Sequence, residues 1–194
     1  MLQALFNPAI ALLDRFTYSR KILILAFVVV IPIAILGYQL VVTLNEEIHV
    51  TQTELDGARF LEPSLAFVQH LQQHRGATNT FLKGDTTFKA VMLDKQAAIA
   101  ADIEAIDAMD AAHGAEFGAS TQWAELKATW FDLQAVVETL PAPESLARHT
   151  ALIRQVLDFR ASVADSSGLT LDPEVDSYYL VVAAISNLPE TTEY

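Results

Sequence analysis

The chain has 194 residues, 52% of them apolar, a mean hydropathy of +0.30, a formal charge of −12 and no cysteine. This length holds one domain and an appendage. The missing cysteine excludes a disulfide framework and thiol chemistry, and the acidic balance makes the surface unsuited to nucleic acid.

The apolar excess is local. Ile22 to Leu44, ILILAFVVVIPIAILGYQLVVTL, carries no charge over 23 residues. As a helix it is roughly 35 Å long, against a hydrocarbon core of about 30 Å, which predicts a transmembrane helix over 22–44. Pro32 is tolerable there because a membrane helix can re-satisfy the freed carbonyl. A cleaved signal peptide is the alternative, but the run is long for one and no A-x-A-like site follows it. Arg15, Arg20 and Lys21 precede the span; Glu46 and Glu47 follow it. The positive-inside rule then keeps residues 1–21 in the cytoplasm and exports the rest. Three of the 12 basic and one of the 24 acidic residues precede the span, so residues 45–194 hold 9 and 23, a net of −14.

Everything after the span reads as helix, and no alternating strand pattern appears. Pro63 suits a first turn, so a helix, or a kinked continuation of the membrane helix, is predicted over about 62–83. KGD at 83–85 is a turn. The second helix is predicted from about Thr86 to Ala112, with Phe88, Met92, Ile99, Ile103 and Ile106 on one face. HGAEFGAS at 113–120 is a loop. The third helix has Trp123, Leu126, Trp130, Leu133, Val137 and Leu140, spaced 3-4-3-4-3. PAPES at 141–145 breaks it. The fourth helix is predicted from Glu144 to about Ser166, with Leu146, Ile153, Val156, Leu157 and Val163 inward. The expected fold is all-α: a transmembrane helix and an up-and-down four-helix bundle over 45–167. At 168–194 a fifth helix, capped by Asp172 and Pro173, is expected to open a second, truncated helical module.

Two columns of the first bundle helix are interrupted at one level. Leu61, Val68, Arg75 and Leu82 form one; Phe60, Phe67, His74 and Phe81 form the next. A buried guanidinium needs a partner. Counting levels from the distal turns offers Asp94 and Asp132 for an internal salt bridge. A ligand anion held bidentately by Arg75 is the functional alternative, and snorkelling to solvent is the third. Gly76 permits close helix approach beside Arg75. Arg160 resembles Arg75, in the column Leu146, Ile153, Arg160, Ser167. His70 and His74 are four apart, as in a metal pair, but position 71 is Leu and no second ligand cluster is evident, so no metal is expected. Asp176, Tyr178 and Tyr179 in LDPEVDSYY are either a helix start packing on the core or one wall of a pocket. The motifs of nucleophilic, phosphate-binding or zincin chemistry are all missing, so neither an enzyme nor a cofactor is expected.

A single span followed by LQQHRGATNTFLKGD (71–85) and then GLTLDPEVDSYYLV and LPE resembles the N-terminal part of bacterial transmembrane chemoreceptors, the methyl-accepting chemotaxis proteins. Similar ectodomains occur on histidine kinases and diguanylate cyclases. The HRG element is similar to nitrate-sensing helical domains, whose arginine in an RG motif contacts the anion; where such relatives continue with Leu-Ser or Leu-Ala, this chain has Ala77 and Thr78. The resemblance implies a sensor that binds a small, anionic periplasmic solute with His74, Arg75 and Gly76, flanked by Asp176, Tyr178 and Tyr179. It also implies a homodimer, seamed along the first helix. A membrane-tethered adaptor bundle that binds a protein partner is the alternative of another class.

Overall fold

The computed structural model describes residues 16–170. Four α-helices run in order: α1 Tyr18–Leu82, α2 Phe88–Met109, α3 Ser120–Val136 and α4 Ala142–Ser166. A π-helical turn, Asp110–Gly114, extends α2, and a 3-10 turn, Val137–Thr139, extends α3. The chain forms two compact units, which divide between His49 and Val50. The expected fifth helix, with Asp176, Tyr178 and Tyr179, lies outside the described residues.

In the first unit the apolar stretch is exposed all round, for example Leu25 at 64% and Leu36 at 65%. A helix apolar on every face suits lipid and not water. It is long and apolar enough to cross a membrane, with a mean hydropathy of 2.6 over its best window.

Of the two readings at Pro63, a new helix or a continuation, the second unit takes the continuation. α1 runs through it as one helix. The missing N–H of Pro63 frees the carbonyl four residues back, on Arg59, which is exposed and open to water.

The packing is antiparallel, and the pairs that fix it can be read directly. His70 of α1 meets Asp102 of α2, while the later His74 meets the earlier Gln96. Asp107 near the end of α2 accepts from Trp123 and Lys127 near the start of α3, both at 2.6 Å, while Lys89 at the α2 start reaches Glu138 beyond the α3 end. On α1 and α4, Ser64 meets Arg160 and His74 meets His149.

The core is aromatic. Phe67 meets the Trp123 ring edge-on at 5.6 Å, Trp123 stacks on Phe159 at 5.9 Å, and Phe60 touches both Phe159 and Phe117. Each of these side chains is at most 5% exposed, so each contributes about 1.5–3 kcal/mol of burial, with a further increment from ring geometry. The predicted stripes of α2 and α3 are the ones that pack: Met92, Ile99, Ile103 and Ile106 are buried, as are Trp123, Leu126, Trp130, Leu133 and Val137.

On α4 four of the five expected positions are inward: Ile153, Val156 and Val163 are buried and Leu157 packs against the core, while Leu146 does not. Leu146 is 41% exposed, and Ser145 and His149 take the interior positions instead. The buried stripe runs Ser145, His149, Leu152, Val156, Phe159, Val163, a 4-3-4-3-4 spacing that includes a histidine. Turns close as glycine chemistry dictates: Gly84 has φ +109° and Gly168, just past the end of α4, has φ +83°.

Candidate functional site

The α1/α4 seam carries buried polar stations at two levels. The one at the earlier level of α1, beside Leu61 and Ser64, is Arg160, only 2% exposed. Its Nη1 donates to the Leu61 carbonyl (3.0 Å) and to Ser64 Oγ (2.8 Å), and its Nε has no partner. Among the described residues no carboxylate pairs with it. Burial alone pushes its guanidinium down to about 10. One helical level away, Gly57 admits Ser167 so closely that a Cβ on residue 57 would overlap the serine side chain. The two helices therefore touch through their smallest residues at this end.

The distal station holds the interrupted columns. His74 is fully buried, with Trp130 edge-on to it at 5.0 Å. His74 Nδ1 lies 2.8 Å from His149 Nε2, His74 Nε2 lies 3.2 Å from Gln96 Nε2, and His149 Nδ1 lies 2.7 Å from the Ser145 carbonyl. Burial, reinforced by the neighbouring His149, lowers His74 to about 3. His149 is lowered too, first by burial and then by Arg75, against a hydrogen bond to Ser145 that acts the other way. Both rings are therefore neutral at pH 7.

Those two facts fix the protons. The Ser145 carbonyl only accepts, so His149 Nδ1 carries a hydrogen and its Nε2 is bare. His74 Nδ1–H must then donate to it, which leaves His74 Nε2 bare to accept from the Gln96 amide. Every ring nitrogen is satisfied in one direction. Thr78, where the chain departs from the Leu-Ser or Leu-Ala pattern, is fully buried with Oγ1 3.5 Å from His74 Nδ1.

Arg75 sits next to this chain of bonds, half-buried, with Nη1 donating to Thr150 Oγ1 at 3.1 Å. Thr150 in turn donates to the Leu146 carbonyl at 2.9 Å. The two carboxylates that level counting offered are turned outward. Asp94 is 73% exposed and lies 3.4 Å from Lys95, and Asp132 is exposed on an α3/α4 groove with Arg148. Level counting from the turns misjudged which helix faces Arg75: its Thr150 bond is to α4. Gly76 is exposed with open space around it, so the close approach expected there is made by Gly57 instead. The other histidine of the metal-type pair, His70, engages Asp102 at 2.6 Å, so the two rings serve different neighbours. Among the described residues no group of three or more His, Asp or Glu side chains is placed to hold a metal.

Sequence reasoning missed His149, Gln96 and Thr150. His149 was legible as a position on the α4 stripe; Gln96 and Thr150 follow only from the helix register.

The neutral state of the histidines is testable through stability. Their folded values lie below the ordinary 6.5, so below that pH the unfolded chain binds protons that the folded one refuses. Stability is full above pH 6.5 and falls as pH drops toward 3. At about 1.4 kcal/mol per unit, His74 alone costs about 2–3 kcal/mol by pH 4.5, and His149 acts in the same direction. Urea midpoints at pH 7.5 and 5.5 check the first unit of this fall, about 1.4 kcal/mol, above the range where ordinary carboxylates protonate. A flat profile would overturn the buried neutral pair.

The described residues form an all-α bundle with a membrane-type helix and a cation beside a buried polar layer. The nitrate and nitrite sensing family model matches residues 66–192, about two-thirds of the chain. The chain belongs to that family, which also fits the periplasmic sensor reading. No curated protein and no solved structure matches it significantly.

Proposed function

We propose that this chain is the sensory part of a membrane receptor in which nitrate or nitrite docks on Arg75 at the α1/α4 seam, the receptor being of the chemotaxis type. The observation that carries the reading is the family match over 66–192, with Arg75 near the start of the matched region and hydrogen-bonded across the seam. A planar guanidinium suits a planar oxyanion through two parallel N–H bonds. His74 is a buried neighbour in this reading and does not touch the anion. An anion bridging α1 and α4 shifts the two helices by an ångström or two, and α1, which also contains the apolar stretch, passes that shift on. Thermal melting of wild type and Arg75→Ala with a panel of small anions tests the site.

Orientation follows from Arg20 and Lys21 before the span and Glu46 and Glu47 after it. Fusions after residue 50 should be active with a periplasmic reporter only; activity of a cytoplasmic reporter at that point refutes the topology. Two copies associate along α1, where Leu55 and Leu65 are exposed at 45% and 46%. A net charge of −14 on residues 45–194 opposes that association, so it should tighten as salt screens the repulsion. Sedimentation of the membrane-helix-containing chain as a strict monomer at every salt concentration counts against the dimer.

A further inference from the structure

Two bonds join α1 to α4 at one level. His74 and Arg75 are neighbours on α1, His149 and Thr150 are neighbours on α4, and each bond spans 75 residues of sequence. Along a helix, neighbours differ by about 1.5 Å in height and about 100° in direction, so the two bonds are the inner and outer rungs of one crosslink.

The inner rung is tightly held. Both rings are fully buried, Trp130 packs edge-on against His74 at 5.0 Å, and the Ser145 carbonyl fixes the tautomer of His149 from 2.7 Å. That bond sets the spacing and register of the two helices at the level where Arg75 leaves α1.

The outer rung carries orientation. Thr150 Oγ1 donates its proton to the Leu146 carbonyl at 2.9 Å, one turn back on its own helix. This selects one of the two rotamers open to a helical threonine, and it leaves the oxygen as an acceptor only. Arg75 Nη1 donates to that oxygen at 3.1 Å. An arginine stem has much rotamer freedom to lose, and a ligand that must first order it binds more weakly.

We propose that Thr150 is a positioning residue of the anion site: locked on α4 by Leu146 and set opposite Arg75 by the buried histidine bond, its hydroxyl holds the guanidinium in the orientation that the anion meets. The inference rests on the anion reading given above. Arg75 has more than this one contact, so removing the hydroxyl loosens the guanidinium and does not release it. The loss of affinity is therefore partial, about three- to tenfold, the worth of one hydrogen bond.

The test uses the full chain in detergent at pH 7.5, titrated with sodium nitrate in a calorimeter. Thr150→Val should bind about three- to tenfold more weakly than wild type. Thr150→Ser keeps the hydroxyl and should recover most of that loss. Nitrogen NMR of the Arg75 side chain, assigned by its disappearance in Arg75→Lys, reads the orientation without ligand: Nε–H should be ordered in wild type and Thr150→Ser and mobile in Thr150→Val. Equal affinity in wild type and Thr150→Val overturns the positioning role, as does a serine variant no better than the valine one. Weaker binding by Thr150→Val with an equally ordered Arg75 also overturns it, because the hydroxyl then acts on the anion directly. Nitrate bound by none of the three proteins overturns the anion reading instead, and the Arg75 signal alone then decides whether Thr150 holds the guanidinium.

Discussion

Arg75→Ala should abolish stabilisation by nitrate. Wild type at a nitrate concentration of 100 times Kd gains about 2.7 kcal/mol, a rise in Tm on the order of 10 °C for a bundle of this size. Two charge-assisted hydrogen bonds are lost with the guanidinium, about 3–5 kcal/mol, so affinity drops by more than about 10²-fold and the shift vanishes. In the free protein the Arg75 bond to Thr150 is part-buried, and Thr150 keeps its own donation to Leu146. Loss of the Thr150 bond by itself costs about 1–2 kcal/mol. Differential scanning fluorimetry with nitrate, nitrite and dicarboxylates separates the outcomes. A nitrate shift that survives in Arg75→Ala, or dicarboxylates that stabilise more than nitrate and nitrite, would sink the assignment.

Arg160→Met should stabilise the fold by about 1–4 kcal/mol. The guanidinium is buried with neutral partners, its Nε satisfied by nothing, and desolvation already weakens its hold on its proton. Methionine fills similar length without a charge. Removal orphans little, because Ser64 Oγ keeps its 2.7 Å bond to the Leu61 carbonyl. Arg160→Ala is the control: it deletes the charge and the volume together, and the resulting gap offsets the gain. Urea unfolding at pH 7.5 measures both. If Arg160→Met loses more than about 1 kcal/mol, the cation is compensated and this view of the seam is wrong.

The proposed anion site and the buried Arg160 lie on the same pair of helices. Arg160 holds α1 by one carbonyl and one hydroxyl, and Gly57 lets Ser167 lie against the α1 backbone. Arg75 and His149 join the same helices at the distal level. The aromatic core, by contrast, ties α1, α3 and α4 through Phe67, Trp123 and Phe159, whose rings stay 5.6–5.9 Å apart. Under the proposed anion reading, a polar seam beside a close-packed aromatic core is the part of the bundle where spacing changes at least cost.

The sequence by itself determined the all-α class, the apolar helix over 22–44 and the packing stripes of α2 and α3, because helical periodicity and lipid-length runs are local properties of the chain. It also marked His74 and Arg160 as residues in core columns, since a buried position is set by the stripe whatever side chain fills it. Tertiary structure alone decided what those side chains meet. Register between helices 75 residues apart in sequence pairs His74 with His149 and Arg75 with Thr150, and at the start of α4 Ser145 and His149 are inside while Leu146 is not. Pro63 carried a local signal for a helix start, yet α1 continues through it, because the carbonyl it frees is on an exposed residue and costs little there. Hydrogen-bond partners depend on which faces meet, and faces meet through the summed packing of the whole core, which no short stretch of sequence encodes.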